Sequence, residues 1–139
     1  MTYDEMIALT RERMKQNPVR RKPSNEEHRI QVSCVKWFRM QYPKLAKLLY
    51  AVPNGSRRDA ITGKILKDEG VVRGVSDLNL DIANRFYHGL RIEMKTPKGV
   101  QSAEQKEFQR LMESQGFKYV ICRSLSDFMK EIIIYMEGV

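Results

Sequence analysis

Two short stretches of strict alternation constrain this chain most. In SDLNLDIA, Leu78, Leu80 and Ile82 alternate with Asp77, Asn79 and Asp81. In HGLRIEMK, Leu90, Ile92 and Met94 alternate with Arg91, Glu93 and Lys95. Period two places each set on one face of a β-strand. The intervening NRFY reads as a turn near Asn84-Arg85, so the pair is expected to form an antiparallel hairpin. A chain built around such a hairpin needs further layers to cover the apolar face, and the flanking segments supply helices.

Ser24 to Pro43 reads as a strong helix. Ser24 and Glu27 have capping-box spacing, and Ile30, Cys34, Trp37 and Phe38 recur at helical intervals. Trp37, Phe38 and Tyr42 read as core rather than base-stacking residues. Leu48 to Val52 follow as a short buried strand, broken by Pro53-Asn54-Gly55. Ser56 to Gly74 is polar and basic, with a short helix or ordered loop around Ala60, Ile61, Ile65 and Leu66. After the second hairpin strand, Ser102 with Gln105 starts a helix carrying Phe108, Leu111 and Met112, and Gly116 ends it. FKYVICR reads as a last strand, and Ser124 caps a terminal helix with Leu125, Phe128, Ile132 and Met136 on its apolar side. The expected class is α/β: a mixed central sheet flanked by helices. An extra N-terminal helix from Tyr3 to Lys15 and the basic stretch NPVRRKPSN precede it. The chain therefore divides into an N-terminal helix and arm, 1–23, and one domain, 24–139.

Charge narrows the partners. Lys and Arg number 25 against 17 Asp and Glu, a net charge of +8. Nucleic acid is the commonest polyanion such a surplus suits, although a generic basic domain has the same balance. No stretch approaches the roughly 18 apolar residues of a membrane helix. The opening MTYDEMIALT lacks the basic-then-apolar layout of a secretion signal. Cys34 and Cys122 sit among apolar neighbours and offer neither a disulfide framework nor a zinc pair, so a reducing, cytoplasmic setting is expected, without an organic cofactor.

The hairpin also brings chemistry together. In an antiparallel pair the start of one strand lies beside the end of the next, so Asp77 meets Glu93 and Lys95 at one end of the sheet. Glu93 and Lys95 project from one face about 6–7 Å apart. Two carboxylates converging there repel unless a cation lies between them. The available donors are oxygens, which favours Mg²⁺, with Mn²⁺ able to replace it, over Zn²⁺. Such a site suits phosphodiester hydrolysis, with Lys95 as a compact charge for the transition state. Spacing alone also fits three ordinary exposed residues of an alternating strand.

The segment GVVRGVSDLNLDIANRFYHGLRIEMKTPKGVQSAEQKEFQRLMESQGFKYVICRS resembles the core of the virus-type replication-repair nuclease domain, VRR-NUC, of the PD-(D/E)xK nuclease superfamily. The matched signals are the glycine-rich lead into Ser76-Asp77, the YHGLRIEMK strand, the SxEQ helix start and the final GF-Y-V-C-R strand. Upstream, SNEEHRIQVSCVKWFRMQYP resembles the family's first helix and PNG its following loop, so the likeness spans about Ser24 to Ser124. The superfamily often has proline before the aspartate, where this chain has Ser76.

The resemblance implies a restriction-endonuclease-like fold, with Asp77, Glu93 and the Met94 carbonyl as metal ligands and Lys95 as the catalytic lysine. It further implies a glutamate from the first helix, Glu27 with Glu26 as the fallback, and Gln105 near the active site. Glu27 and Gln105 each have a second reading as capping-box partners of Ser24 and Ser102. Arg57, Arg58, Lys64, Lys67 and Arg73 form a basic cluster that would grip DNA phosphates, or else a solvated face. His28 and His88 are expected at the surface, paired with no metal. The expected protein is a Mg²⁺-dependent, structure-specific DNA endonuclease, with branched DNA as substrate. Small members of the family resemble phage or bacterial four-way (Holliday) junction resolvases of DNA repair, which implies a homodimer with paired sites. The alternatives are a nucleic-acid-binding protein without catalysis, or a nuclease for flaps or specific duplex sequences.

Overall fold

Alternation sets the sheet. The computed structural model describes residues 2–16, 25–53 and 60–139. Helix α1 (Tyr3–Gln16) precedes α2 (Asn25–Gln41), a 3₁₀ turn over Pro43–Leu48, strand β1 (Leu49–Ala51) and helix α3 (Ala60–Asp68). Strands β2 (Leu78–Leu80) and β3 (Leu90–Met94) follow, then α4 (Ala103–Ser114), β4 (Lys118–Cys122) and α5 (Leu125–Glu137). The four strands lie in the order β1-β2-β3-β4. β1 and β2 pair antiparallel, as do β2 and β3, while β3 and β4 are parallel, with α4 as the crossover that a parallel pair requires.

Register explains which face is buried. Leu49 faces Leu80, Leu78 faces Ile92, Leu80 faces Leu90, and Met94 faces Cys122. These side chains form one apolar face, and Cys34 and Phe38 of α2 with Phe128, Ile132 and Tyr135 of α5 close over it. Removing these side chains from water is the main stabilising term of the domain. Trp37 meets Tyr42 and Phe128 edge-on at 6.2 and 6.0 Å, so the aromatic cluster of α2 belongs to this core, as expected. The opposite face carries Asp77, Asn79, Arg91, Glu93 and Tyr119, and α4 covers its β4 side through Phe108, whose ring lies 6.3 Å from that of Tyr119.

Two expectations need correction. β2 stops at Leu80, and Ile82 packs against the core from a loop instead of continuing the strand. That loop, residues 81–89, is longer than a tight hairpin turn because Asn84 organises it: its side-chain oxygen accepts from the Phe86 and Tyr87 N–H groups at 2.9 and 2.8 Å. The other concerns the alternative reading of Glu93 as an ordinary exposed residue of an alternating strand: its side chain is fully buried.

Caps fall where the sequence places them. Ser102 accepts from Gln105 N at 3.1 Å, and the Gln105 side chain accepts from Ser102 N at 2.8 Å, a complete capping box. Ser124 accepts from Asp127 N at 3.1 Å. Ser24 lies outside the described residues, so the proposed Ser24–Glu27 cap does too. No helix among the described residues is long and apolar enough to cross a membrane.

Candidate active site at the end of the hairpin

Asp77 stands one position before β2. The β2–β3 register, extended by one rung beyond Leu78 and Ile92, sets it opposite Glu93. Its backbone carbonyl accepts from Val52 N at 2.9 Å, continuing the β1 pairing. Its Oδ2 accepts from Met94 N at 2.7 Å, which fixes the carboxylate against the end of β3 and beside the Met94 main chain. Immediately before it, Ser76 is buried and donates to Asn79 Oδ1 at 3.1 Å.

Among the described residues, Glu93 is the charged residue that lies fully buried. Its side chain is 0% exposed. Tyr119 donates its hydroxyl hydrogen to Glu93 Oε1 at 2.6 Å, and Gln101 Nε2 donates to the same oxygen at 3.2 Å. Oε2 is buried with no hydrogen-bond partner. A buried oxygen left without a partner in a low-dielectric setting is costly, and it marks a place where a cation or a water molecule can bind.

Lys95, two residues after Glu93 and just past the end of β3, is half-buried, with its N–H donating to Cys122 O at 3.0 Å. The loop after it folds back over its stem: a Cβ at Gly99 would lie 3.3 Å from Lys95 Cδ. Arg123, at the end of β4, pins that loop by donating from Nη1 to Thr96 O at 2.8 Å and Gly99 O at 2.7 Å.

The electrostatics tie four residues into one cluster. Burial raises the Asp77 pKa from 3.8 to about 6; the Met94 N–H opposes this, the Glu27 and Glu93 carboxylates add to it, and Lys95 opposes it. Glu27, in the first turn of α2, is also raised by burial, against Lys95 and with Glu93. Asp77, Glu27, Glu93 and Lys95 therefore share one field. Burial and the Glu93 carboxylate push the Tyr119 hydroxyl far above the ordinary phenol range, so it stays a donor.

The other expected residues fall as follows. Glu26 is exposed, one position from Glu27 on α2. Gln105 has its side-chain oxygen on the Ser102 N–H, at the cap of α4. The glutamine that reaches the buried carboxylate is Gln101, four residues earlier and in a loop. Tyr119 joins it from β4. Gln101 has no motif to mark it; Tyr119 is the tyrosine of the GF-Y-V-C-R strand, and it lies two residues before Ile121, the parallel neighbour of Glu93, which places it on the Glu93 face. Lys64, Lys67 and Arg73 are exposed, whereas Arg57 and Arg58 lie outside the described residues. His28 and His88 are exposed.

Among the described residues, no three His, Cys, Asp or Glu side chains stand together as a ready-made metal cage. The donor set nevertheless fits a hard divalent cation: it is all oxygen, it carries like charges that repel without a counter-ion, and Glu93 Oε2 is buried and unpartnered.

No family model matches the chain, and no curated protein matches it. Among solved structures, one described as a "VRR_NUC domain protein" superposes with a TM-score of 0.72 at 26% sequence identity, covering 84% of this chain and 93% of that one. The likeness carried by the sequence motifs is thereby borne out in three dimensions. The four-stranded mixed sheet with helices on both faces is the restriction-endonuclease-like architecture of that domain.

Proposed function

From a chain that carries the VRR-NUC nuclease fold, we propose a divalent-metal-dependent DNA endonuclease whose substrate is a four-way junction, cut by a homodimer. The observation that carries this reading is the buried Glu93, with its orphaned Oε2, at the sheet end that Asp77, Glu27 and Lys95 share. Asp77, Glu93, the Met94 carbonyl and Glu27 would hold Mg²⁺. When bound, such an ion would offset phosphodiester charge, polarise the phosphoryl group and lower the pKa of a coordinated water.

The chain's own residues do the rest. The Met94 N–H and the β1 pairing hold Asp77 in place, so little reorganisation is needed at the moment of reaction. Lys95, kept by the Arg123-pinned loop, places positive charge where phosphoryl oxygens gather negative charge in the transition state. The surplus of 8 positive charges draws the polyanion, and Lys64, Lys67, Arg73, Arg57 and Arg58 are the candidates for gripping its phosphates. One chain carries one such set of site residues. Two symmetric cuts in a junction then call for two chains about a two-fold axis.

The test is a panel of labelled four-way junction, flap and plain duplex, incubated with Mg²⁺, Mn²⁺ or EDTA. The expected result is metal-dependent paired cutting of the junction, with Asp77→Ala inactive and Lys95→Ala slower by about 10²–10³-fold. Cutting of flaps or duplex in preference to the junction would keep the nuclease and change its substrate. Binding without cleavage under every metal condition would make the protein a non-catalytic nucleic-acid binder.

A further inference from the structure

The two oxygens of Glu93 have opposite surroundings. Oε1 receives two hydrogen bonds, from Tyr119 at 2.6 Å and Gln101 at 3.2 Å, while Oε2, equally buried, receives none. The donors are themselves fixed. Tyr119 sits on β4, paired in register with Arg91 of β3, and Phe108 of α4 packs edge-on against its ring. Gln101 Nε2 also donates to Gln109 Oε1 at 2.9 Å, so both hydrogens of its amide group are engaged. Gln109 in turn is oriented by Glu113, one helical turn further along α4, which accepts from Gln109 Nε2 at 2.6 Å. A file of side chains from the surface of α4 thus reaches the buried carboxylate.

We propose that Tyr119 and Gln101 are positioning residues that take up Glu93 Oε1 and so present Oε2 alone to a divalent cation. The consequence is that Glu93 binds through one oxygen, in one orientation, without having to rotate. This rests on the metal-site reading given above and adds to it the two residues that orient the glutamate. Partners of this kind, which hold a ligand without touching the ion, typically change metal affinity by about 10- to 100-fold when removed.

The test is calorimetric titration of Mn²⁺ into metal-free wild type, Tyr119→Phe and Gln101→Ala, with urea unfolding of each metal-free protein alongside. Tyr119→Phe keeps the ring and removes only the donor; Gln101→Ala alters a loop residue outside the sheet and decides the matter if the tyrosine variant fails to fold. The expected result is a Mn²⁺ affinity at least about 10-fold weaker in each variant that keeps its fold. Affinity unchanged, or tightened because Glu93 then binds through both oxygens, would overturn the proposal while leaving the metal site standing. A wild type that takes up no Mn²⁺ would instead overturn the metal-site reading, and the positioning role with it.

Discussion

Burial and two neighbouring carboxylates raise Asp77 to about 6, against an ordinary value of 3.8. The native state therefore binds this proton more tightly than the unfolded chain. The protonated carboxyl stabilises the fold fully below about pH 3.8, and that contribution is lost as pH rises through about 6. In EDTA at pH 8, Asp77→Asn is expected to be more stable than wild type, by up to about 3 kcal/mol, and the difference should shrink below pH 5. Urea unfolding at both pH values checks this; a less stable variant at pH 8 would mean that the neighbours stabilise the charge rather than oppose it. Adding Mg²⁺ should stabilise wild type more than the variant, because the variant lacks one of the proposed carboxylate ligands through which the native state would bind the ion. At this scale Asp77, Glu93 and Lys95 are legible in the sequence, because period two and an antiparallel return are enough to bring them together. Gln101 is not, since a loop residue aimed inward leaves no periodic trace. The burial of Glu93 is hidden too, because alternation predicts a face and not what covers it.

The elements hold this end of the sheet through close approaches that only particular residues permit. Gly74 lies three residues before Asp77 with φ +83°, and a Cβ there would stand 2.6 Å from the backbone carbonyl carbon of Glu104, in the first turn of α4. Glycine lets the lead into Asp77 lie flat against that helix. Gly74→Ala should cost about 2 kcal/mol or more and should also slow cleavage by displacing Asp77; urea midpoints and initial rates measure the two effects. A variant as stable as wild type would show that the lead is free to shift. The helix starts at Ser102 and Ser124 and the end at Gly116 are readable because their chemistry is local. The end of β2 is not: nothing local distinguishes Ile82 from Leu80, and the loop is set by distant bonds, among them Asn84 Nδ2 donating to Tyr135 O at 3.1 Å and the Tyr135 hydroxyl donating to Ile82 O.

At the scale of the whole molecule, the chain carries a net charge of +8, whereas the candidate site is lined by carboxylates. On the proposed reading, the basic surplus would attract DNA while the carboxylates would repel the scissile phosphate, and a bound cation would offset that repulsion. Junction affinity should fall steeply with salt, and substituting Lys67 or Arg73 by alanine should each reduce the log–log salt slope by about 1 if that cluster touches phosphate. An unchanged slope would make it a merely solvated face. Sedimentation should give a mass twice the 16.3 kDa of one chain; a single-chain mass at high concentration would contradict paired cutting by a homodimer. The layered α/β class was readable from the order of periodic segments, because each strand pattern demands a covering helix. Substrate shape and subunit pairing belong to surfaces, where no periodicity acts.

The most direct measurement is anomalous diffraction at the manganese edge from crystals soaked in Mn²⁺. The expected peak touches Glu93 Oε2 and is bounded by Asp77 and the Met94 carbonyl. Occupied manganese sites elsewhere, with none against that oxygen, would contradict it.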